Sequence, residues 1–310
     1  MHIPAPIPVA TVSSGLLVDV RNKQNFFEFF KFNDEGSETE LLQTILRQSY
    51  YQDGLKYDDM YLINIGANDG KTGDALFSLF AAGARGILVE VNVDILPLLR
   101  ANVPWERAHK IQQATTPLNV VDFLISVGAA KEPDVFKIDI DSYDVFVVDA
   151  LLRNGTFHPK LIVMEINEKI PPPIQFTINQ CRPHGWRADH CYGVSIEKLV
   201  VTLSWSAYVP VALSWNNVYF LPRDVLSSLE QTAVLDTSTQ GLYDAGYWKR
   251  NGRKRAFSYN SDVDKWVDDL HVRGPLEVMR DIFKFMIETR SFRESGLTFE
   301  LSLSPGVFVV

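Results

Sequence analysis

Hydrophobic positions between residues 60 and 221 follow two alternating patterns: short unbroken apolar runs, and longer segments in which apolar residues recur with helical spacing. The first pattern predicts strands that are buried on both faces, and the second predicts amphipathic helices. The predicted strands cover 60–65, 86–91, 109–114, 134–140, 161–166, 207–213 and 217–221, of which 109–114 is shorter and more polar. The predicted helices cover 74–82, 95–102, 120–127, 145–153 and 195–203.

This alternation predicts an α/β fold with a mostly parallel sheet and helices on both of its faces. The segment Ser214–Asn216 is all that separates the last two strands. A connection this short predicts a hairpin, which would add one antiparallel strand at the edge of the sheet. We therefore expect a seven-stranded, mostly parallel sheet with an antiparallel terminal hairpin.

Further segments flank the alternating part of the chain. Ser37 and Glu40 have the spacing of a capping box at the start of an amphipathic segment over 37–51. After the last strand the alternation stops, and the segments 266–270 and 276–289 indicate a mainly helical extension. We expect an N-terminal segment with a helical cap over 1–58, the α/β domain over 59–222 and the extension over 223–310.

Composition narrows the class of partner. The chain has 310 residues, 46% of them hydrophobic, and a formal net charge of -8. A protein that binds nucleic acid through a basic surface needs clustered Lys and Arg, so no nucleic-acid partner is expected. The basic run KRNGRKR at 249–255 is a local exception, for which a solvated loop is favoured over an anion site.

The two cysteines, Cys181 and Cys191, do not form a disulfide framework, so a reducing, cytoplasmic location is expected. Together with His184 and His190 they form a cluster whose spacing matches no standard zinc site. The N-terminus lacks the basic region and unbroken apolar core of a signal peptide. No apolar run approaches 18 residues, so no membrane span is expected.

The strongest functional motif is NIGANDG at 64–70, a glycine-rich turn that follows the first buried strand. Gly66 and Gly70 allow a tight turn and the close approach of a ligand to the main chain. Asn68 stands where a dinucleotide-binding turn has its second glycine, and the carboxylate of Asp69 would repel a phosphate. Both features favour a phosphate-free cationic ligand, S-adenosylmethionine, over NAD. An ordinary turn with an exposed Asp is the alternative.

A second polar position, Glu90, ends the next predicted strand about 20 residues later. A carboxylate there can accept hydrogen bonds from both hydroxyls of a ribose. A solvated strand end is the alternative interpretation. Asn92, two residues further on, would assist the binding of the ribose or turn the chain.

Acidic residues also follow the fourth and fifth strands. Asp139 and Asp141 lie in FKIDIDSYD and point to the same side if the strand continues, and Glu165 and Asn167 end the next strand. Paired carboxylates are costly unless a cation lies between them. Asp139, Glu165 and Asn167 are candidate ligands for Mg²⁺. A hydrogen-bonded polar rim is at least as well supported.

In this order, NIGANDG, LVEVN, FKIDIDSYD and LIVMEIN resemble the FkbM-type branch of the class I S-adenosylmethionine-dependent methyltransferases, over roughly residues 40–223. The resemblance implies a Rossmann-like fold, S-adenosylmethionine as methyl donor and catalysis of methyl transfer. Two departures are Asn64, where the family has an acid, and Ser142, where it has a glycine.

The resemblance also implies which residues would contact the donor and the acceptor. The first motif would hold the methionine arm, Glu90 the ribose, Thr115 or Thr116 the adenine, and Asp139 and Asp141 the methyl-transfer edge. The implied donor-binding residues are Asn64, Gly66, Asn68, Asp69, Gly70, Glu90, Asn92, Thr115 and Asp139.

A base is needed to take a proton from the acceptor. The candidates are His184, His190 and Tyr192, which follow the fifth strand, and Asp141; His190 is favoured. The expected activity is O-methylation of a small molecule or sugar, with possible assembly into a homo-oligomer through the extension. The alternatives are a non-catalytic binding module of the same fold and an NAD-dependent oxidoreductase.

Overall fold

A computed structural model of the protein describes residues 38–51, 54–179, 190–230, 236–289 and 298–304. Three residues singled out from the sequence, Ser37, Cys181 and His184, lie outside these ranges. Within them, no helix is both long enough and apolar enough to cross a membrane.

Nine strands are present in the described ranges, and their order along the chain sets the numbering. They are β1 (Tyr61–Ile65), β2 (Arg85–Glu90), β3 (Ala108–Gln112), β4 (Val135–Ile138), β5 (Ile162–Glu165), β6 (Ile174–Ile178), β7 (Tyr208–Ser214), β8 (Asn217–Pro222) and β9 (Phe299–Leu303). Seven of them form one sheet in the order β3-β2-β1-β4-β5-β8-β7, in which β8 is antiparallel to both of its neighbours. The predicted class I, Rossmann-like sheet is confirmed.

The α-helices of the described ranges precede the first strand of this sheet, connect its strands or follow its last strand. They are α1 (Glu38–Leu46), α2 (Phe77–Ala81), α3 (Leu96–Asn102), α4 (Val120–Ser126), α5 (Asp144–Asn154), α6 (Ile196–Leu203), α7 (Arg223–Glu230), α8 (Thr239–Tyr243), α9 (Arg253–Ala256), α10 (Lys265–Asp268), α11 (Leu270–Arg273) and α12 (Pro275–Glu288). Short helical turns at 47–51, 57–59, 244–248 and 258–260 complete the set in the described ranges.

Both faces of the sheet are covered by helices, and β1 shows how the sequence achieves this. Ile63 packs into a core with α4, α5 and α6, whereas its neighbour Leu62 packs into a second core with α1, α2 and α3. Successive side chains of a strand point to opposite faces, so an unbroken apolar strand fills two cores. The polar ends of such strands are then left at the edge of the sheet.

The expected antiparallel edge strand is wrong in one respect, because β8 lies inside the sheet and β7 forms the edge. Residues of both strands are buried in both cores, so the physical reason lies in strand pairing: a proline has no N–H to donate to a second neighbouring strand. β7 contains Pro210 beside an irregularity in the strand pairing, which suits an edge.

The helices of the extension are close to the predicted positions, since α10 and α11 cover 266–270 and α12 covers 276–289 except its last residue. The pair β6 and β9 was not predicted. These two strands form a separate antiparallel sheet, and Phe176 of β6 shares an apolar cluster with Trp266 and Ile282 of the extension. The extension therefore packs against the segment that follows β5.

Candidate functional site

A cavity of about 490 Å³ opens at the carboxyl ends of β1, β2 and β4. Open α/β sheets bind ligands at this edge, and the volume suits a small molecule. The lining comes from residues 65–68 and 72–74, from 89–92 and 95, from 113–115, and from 137 and 139–143.

The turn after β1 needs a glycine at position 66. Gly66 has a φ of +79°, and its N–H donates to the carbonyl of Val89 at 2.9 Å. A Cβ at this position would lie 1.7 Å from the main-chain oxygen of Asp139. Since Val89 belongs to β2 and Asp139 follows β4, this glycine allows three segments to meet at the cavity.

Glu90 is buried at the end of β2 and is held by the main chain on both sides. Its Oε2 accepts the N–H of Asn68 at 2.8 Å, and its Oε1 accepts the N–H of Asn92 at 2.8 Å. An ionised carboxylate offers about four acceptor positions. The geometry therefore fixes Glu90 at the cavity and leaves acceptor capacity for hydroxyl groups of a ligand.

The structure does not support the charge argument based on Asp69. Its carboxylate accepts the N–H groups of Lys71 at 2.9 Å and of Thr72 at 2.7 Å, and it stabilises the turn. Neither Asp69 nor Gly70 lines the cavity. A Cβ at position 70 would contact the side chain of Leu99 in α3 rather than the cavity.

Negative charge is nevertheless concentrated in the cavity, at other positions. Four carboxylates and one ammonium group contribute to its lining: Asp74, Glu90, Asp139, Asp141 and Lys137. Lys137 donates to Asp139 Oδ2 at 3.0 Å and is itself buried. Burial opposes the charge on Lys137, but Asp139 and Asp74 outweigh it and raise its pKa. The cavity therefore favours a cationic ligand and disfavours a phosphate.

Asn64 lies buried in β1 and contacts a carboxylate of this lining. Its Nδ2 donates to Asp74 Oδ2 at 2.6 Å, and the N–H of Leu76 donates to Asp74 Oδ1 at 2.8 Å. Desolvation raises the pKa of Asp74. Asn64 is not itself among the lining residues, so the acid at this end of the cavity is Asp74, which the sequence analysis does not single out.

Three carboxylates meet where β4 and β5 end. Single oxygens of Asp139, Asp141 and Glu165 lie within 4.8 Å of one another. Burial, and then the charge of Asp139, raises the pKa of Asp141 to about 7 and that of Glu165 well above its ordinary value. Asp141 has a φ of +54° and is hydrogen-bonded to Glu165. Asp141 therefore exchanges a proton near neutral pH.

The predicted set of Mg²⁺ ligands is only partly brought together. Asp139 and Glu165 are close, but the Nδ2 of Asn167 donates to the carbonyls of His190 at 2.9 Å and Tyr192 at 3.0 Å. In its place the structure brings Asp141 to the other two carboxylates, and three carboxylate oxygens suit a divalent ion chemically. Two of these carboxylates already accept a hydrogen bond from the protein. The ammonium of Lys137 donates to Asp139, and the amide of Asn216 donates to Glu165 at 2.7 Å.

Two of the predicted bases lie away from the cavity. Tyr192 is buried, donates to Glu168 at 2.8 Å and accepts from Lys169 at 2.7 Å; burial, and then Glu168, raises its pKa well above its ordinary value. His190 lies 3.2 Å from Asp262 and packs against Phe285 of α12. Of the three described candidates, Asp141 is the one that lines the cavity.

Thr115 lines the cavity on the side of β3. It is 6% exposed, and its Oγ1 has no hydrogen-bond partner in the described part of the chain. A buried hydroxyl without a partner is costly unless a ligand or a water molecule satisfies it. Asn92 and Ile95 line the adjacent wall of the cavity.

Neither a family model nor a curated protein matches this sequence. Solved structures with a similar arrangement include an O-methyltransferase from Bacillus cereus in complex with SAH (11% identity, 67% of this chain and 94% of that chain, TM-score 0.33). Fibrillarin from Aeropyrum pernix with natively bound S-adenosyl-L-methionine is another (12%, 57% and 76%, TM-score 0.37). A third is a SAM-dependent methyltransferase from Aquifex aeolicus (9%, 65% and 98%, TM-score 0.34). Because the sequence identities are this low, the chemistry of this chain is argued from its own residues.

Proposed function

We propose that this protein binds S-adenosylmethionine in the cavity at the ends of β1, β2 and β4, and transfers the methyl group to a small-molecule acceptor. The observation that carries the proposal is Glu90, a carboxylate that two main-chain N–H groups hold at the cavity. Its remaining acceptor positions suit the two hydroxyls of a ribose.

The rest of the lining supports this donor. Thr115, whose hydroxyl has no partner in the described ranges, would lie beside the adenine, with Val91 and Ile95 as apolar contacts. Four carboxylates against one ammonium suit a ligand that carries a sulfonium and an ammonium group. The same charges disfavour NAD, whose pyrophosphate would have to enter a negative cavity.

The acceptor would lie where β4 and β5 end. Methyl transfer is an in-line displacement: the S–CH₃ bond breaks as the O–CH₃ bond forms, S-adenosylhomocysteine leaves, and the acceptor hydroxyl loses its proton. Asp141 is the base that we propose, because it lines the cavity and its pKa of about 7 allows it to accept a proton near neutral pH. Oxygen on a small molecule or sugar is the proposed methyl acceptor.

Donor binding without transfer is the second candidate function. The observation that favours it is the position of His190 and Tyr192: His190 contacts Asp262 of the extension, Tyr192 contacts Glu168, and neither residue lines the cavity. The cavity and its donor contacts are the same in both proposals, which differ only in turnover. Mg²⁺ enters neither proposal as a required ion.

Incubation with S-adenosylmethionine and a fractionated metabolite extract tests the two candidates. Under the first, S-adenosylhomocysteine accumulates above the level without extract, and Asp141→Asn abolishes this increase while donor binding persists. Under the second, the donor binds and no fraction yields S-adenosylhomocysteine. Equal turnover by the wild type and by Asp141→Asn would contradict the role of Asp141.

A further inference from the structure

We propose that Asp74, positioned by Asn64, binds the primary ammonium group of the ligand's amino-acid arm, an inference that rests on the proposed donor. Asp74 lines the cavity and is partly open to it. Its hydrogen bonds come from an amide and a main-chain N–H, both neutral donors. No described residue places a cationic group within ion-pairing distance of its carboxylate.

Lys137 forms its ion pair with Asp139 rather than with Asp74. The ammonium of Lys137 donates to Asp139 at 3.0 Å, and the charges of Asp74 and Glu38 also act on it. One ammonium group therefore faces three carboxylates. A second cation in the cavity would offset the remaining negative charge, and it would gain most beside the carboxylate that is not already paired.

The amide of Asn64 holds the carboxylate of Asp74 from behind the cavity wall. Its Nδ2 donates to Asp74 Oδ2 at 2.6 Å, while Asn64 itself is fully buried and is not among the residues that line the cavity. The carboxylate of Asp74 is therefore the acceptor that a ligand in the cavity reaches. An ammonium, which has N–H donors, can hydrogen-bond to this carboxylate, whereas a sulfonium, which has no N–H, cannot.

The contact between Asn64 and Asp74 also explains why position 64, in the first motif, carries an amide rather than an acid. A carboxylate at position 64 would lie 2.6 Å from Asp74, and two carboxylates this close would repel each other or share a proton. With Asn64 in place, one negative charge remains and lies on the residue that faces the cavity. The amide and the carboxylate therefore act as a unit, in which Asn64 is the positioning residue.

Isothermal titration with two ligands tests the inference. S-adenosylhomocysteine carries the amino-acid arm, whereas 5′-methylthioadenosine has the same thioether nucleoside without it. Asp74→Asn should weaken the binding of S-adenosylhomocysteine about tenfold or more, since a charge-assisted hydrogen bond is lost. It should leave the affinity for 5′-methylthioadenosine within about twofold.

The double variant Asn64→Asp with Asp74→Asn exchanges the two side chains and supplies the matched control. It keeps one carboxylate and one amide in contact but moves the carboxylate to position 64, which does not line the cavity, so we expect it to lack the preference for S-adenosylhomocysteine over 5′-methylthioadenosine as Asp74→Asn does. This ratio decides the question if Asp74→Asn alone does not fold.

Three results would overturn the inference. Asp74→Asn could bind both ligands as the wild type does, it could lose affinity for both equally, or the exchanged variant could keep the wild-type preference for the amino-acid arm. A wild-type protein that binds neither ligand would instead contradict the proposed donor itself. If the wild type binds both ligands and Asp74→Asn does not change the preference between them, the proposed donor is retained and the role of Asp74 is contradicted.

Discussion

The main-chain N–H of Asn68 lies 2.8 Å from Oε2 of Glu90, so the turn after β1 is tied to the end of β2. Asn68 reaches this position with a φ of +47°, in the left-handed region that Asn tolerates better than most residues. The contact explains why a middle glycine is not required in this turn. It also makes Glu90 both a structural acceptor and the proposed ribose ligand.

Glu90→Gln is expected to reduce both stability and donor affinity. The amide keeps one acceptor oxygen, so its NH₂ must face the N–H of either Asn68 or Asn92. We expect the free energy of unfolding to fall by about 1–3 kcal/mol and the affinity for S-adenosylhomocysteine to fall about tenfold. Urea unfolding and calorimetric titration measure the two effects. The same change at exposed Glu106 is the control, and an equal effect there would contradict the assignment.

Gly66→Ala is expected to prevent stable folding. The new Cβ would lie 1.7 Å from the carbonyl oxygen of Asp139 at a φ of +79°, so the main chain must move. Gly73→Ala is the matched control, because its φ is +67° and a Cβ there meets nothing within 4 Å. It should cost only about 1–2 kcal/mol. Urea unfolding that gives equal stabilities for the two variants would refute this account of the turn.

Tyr192→Phe separates a structural tyrosine from a catalytic one. The lost hydroxyl links Lys169 and Glu168, which are both buried. We expect a loss of about 1–3 kcal/mol in the free energy of unfolding and no change in the affinity for S-adenosylhomocysteine. Tyr57→Phe, which removes one 3.4 Å hydrogen bond to Arg47, should change little. A stable Tyr192→Phe protein without methyl transfer would restore the catalytic assignment.

Asp141 is expected to make the folded protein less stable as the pH rises. Burial raises its pKa from the ordinary value of 3.8 to about 7, so between these values the folded state holds a proton that the unfolded state has lost. Stability attributable to Asp141 is therefore greatest near pH 4 and is lost as the pH rises through about 7. Asp141→Asn should be stabilised relative to the wild type more at pH 7.5 than at pH 5.

Unfolding by urea at these two pH values measures the difference. Asp122 is exposed on α4, and Asp122→Asn should follow the wild type at both. If Asp141→Asn loses stability relative to the wild type as the pH rises, the carboxylate is stabilised by the fold and the proposed base would be ionised well below neutral pH.

Much of the central sheet follows from the sequence, because β1, β2, β4 and β5 are short, mostly apolar runs that must be covered on both faces, whereas β3 is more polar and more exposed. The position of β8 does not follow, since a hairpin does not determine which of its strands joins the sheet. β6 was missed because its partner β9 lies more than 100 residues away, and no local pattern of β6 reveals that pairing.

The site was predictable where a single segment determines it. Gly66 and Glu90 lie on local motifs at strand ends, and the structure places both at the cavity. His190 and Tyr192 lie away from the cavity for reasons that the local sequence does not reveal. His190 contacts Asp262 and Phe285 of the extension, and the hydroxyl of Tyr192 lies between the buried side chains of Glu168 and Lys169. Asp74 was missed because its importance arises from a contact with Asn64 rather than from a motif.

Calorimetric titration of the wild-type protein with S-adenosylhomocysteine, and separately with NAD, tests the central claim most directly. The negative cavity and the Glu90 contact predict one bound S-adenosylhomocysteine per chain and no heat of binding with NAD. Binding of NAD, or the absence of S-adenosylhomocysteine binding, would contradict the proposed function.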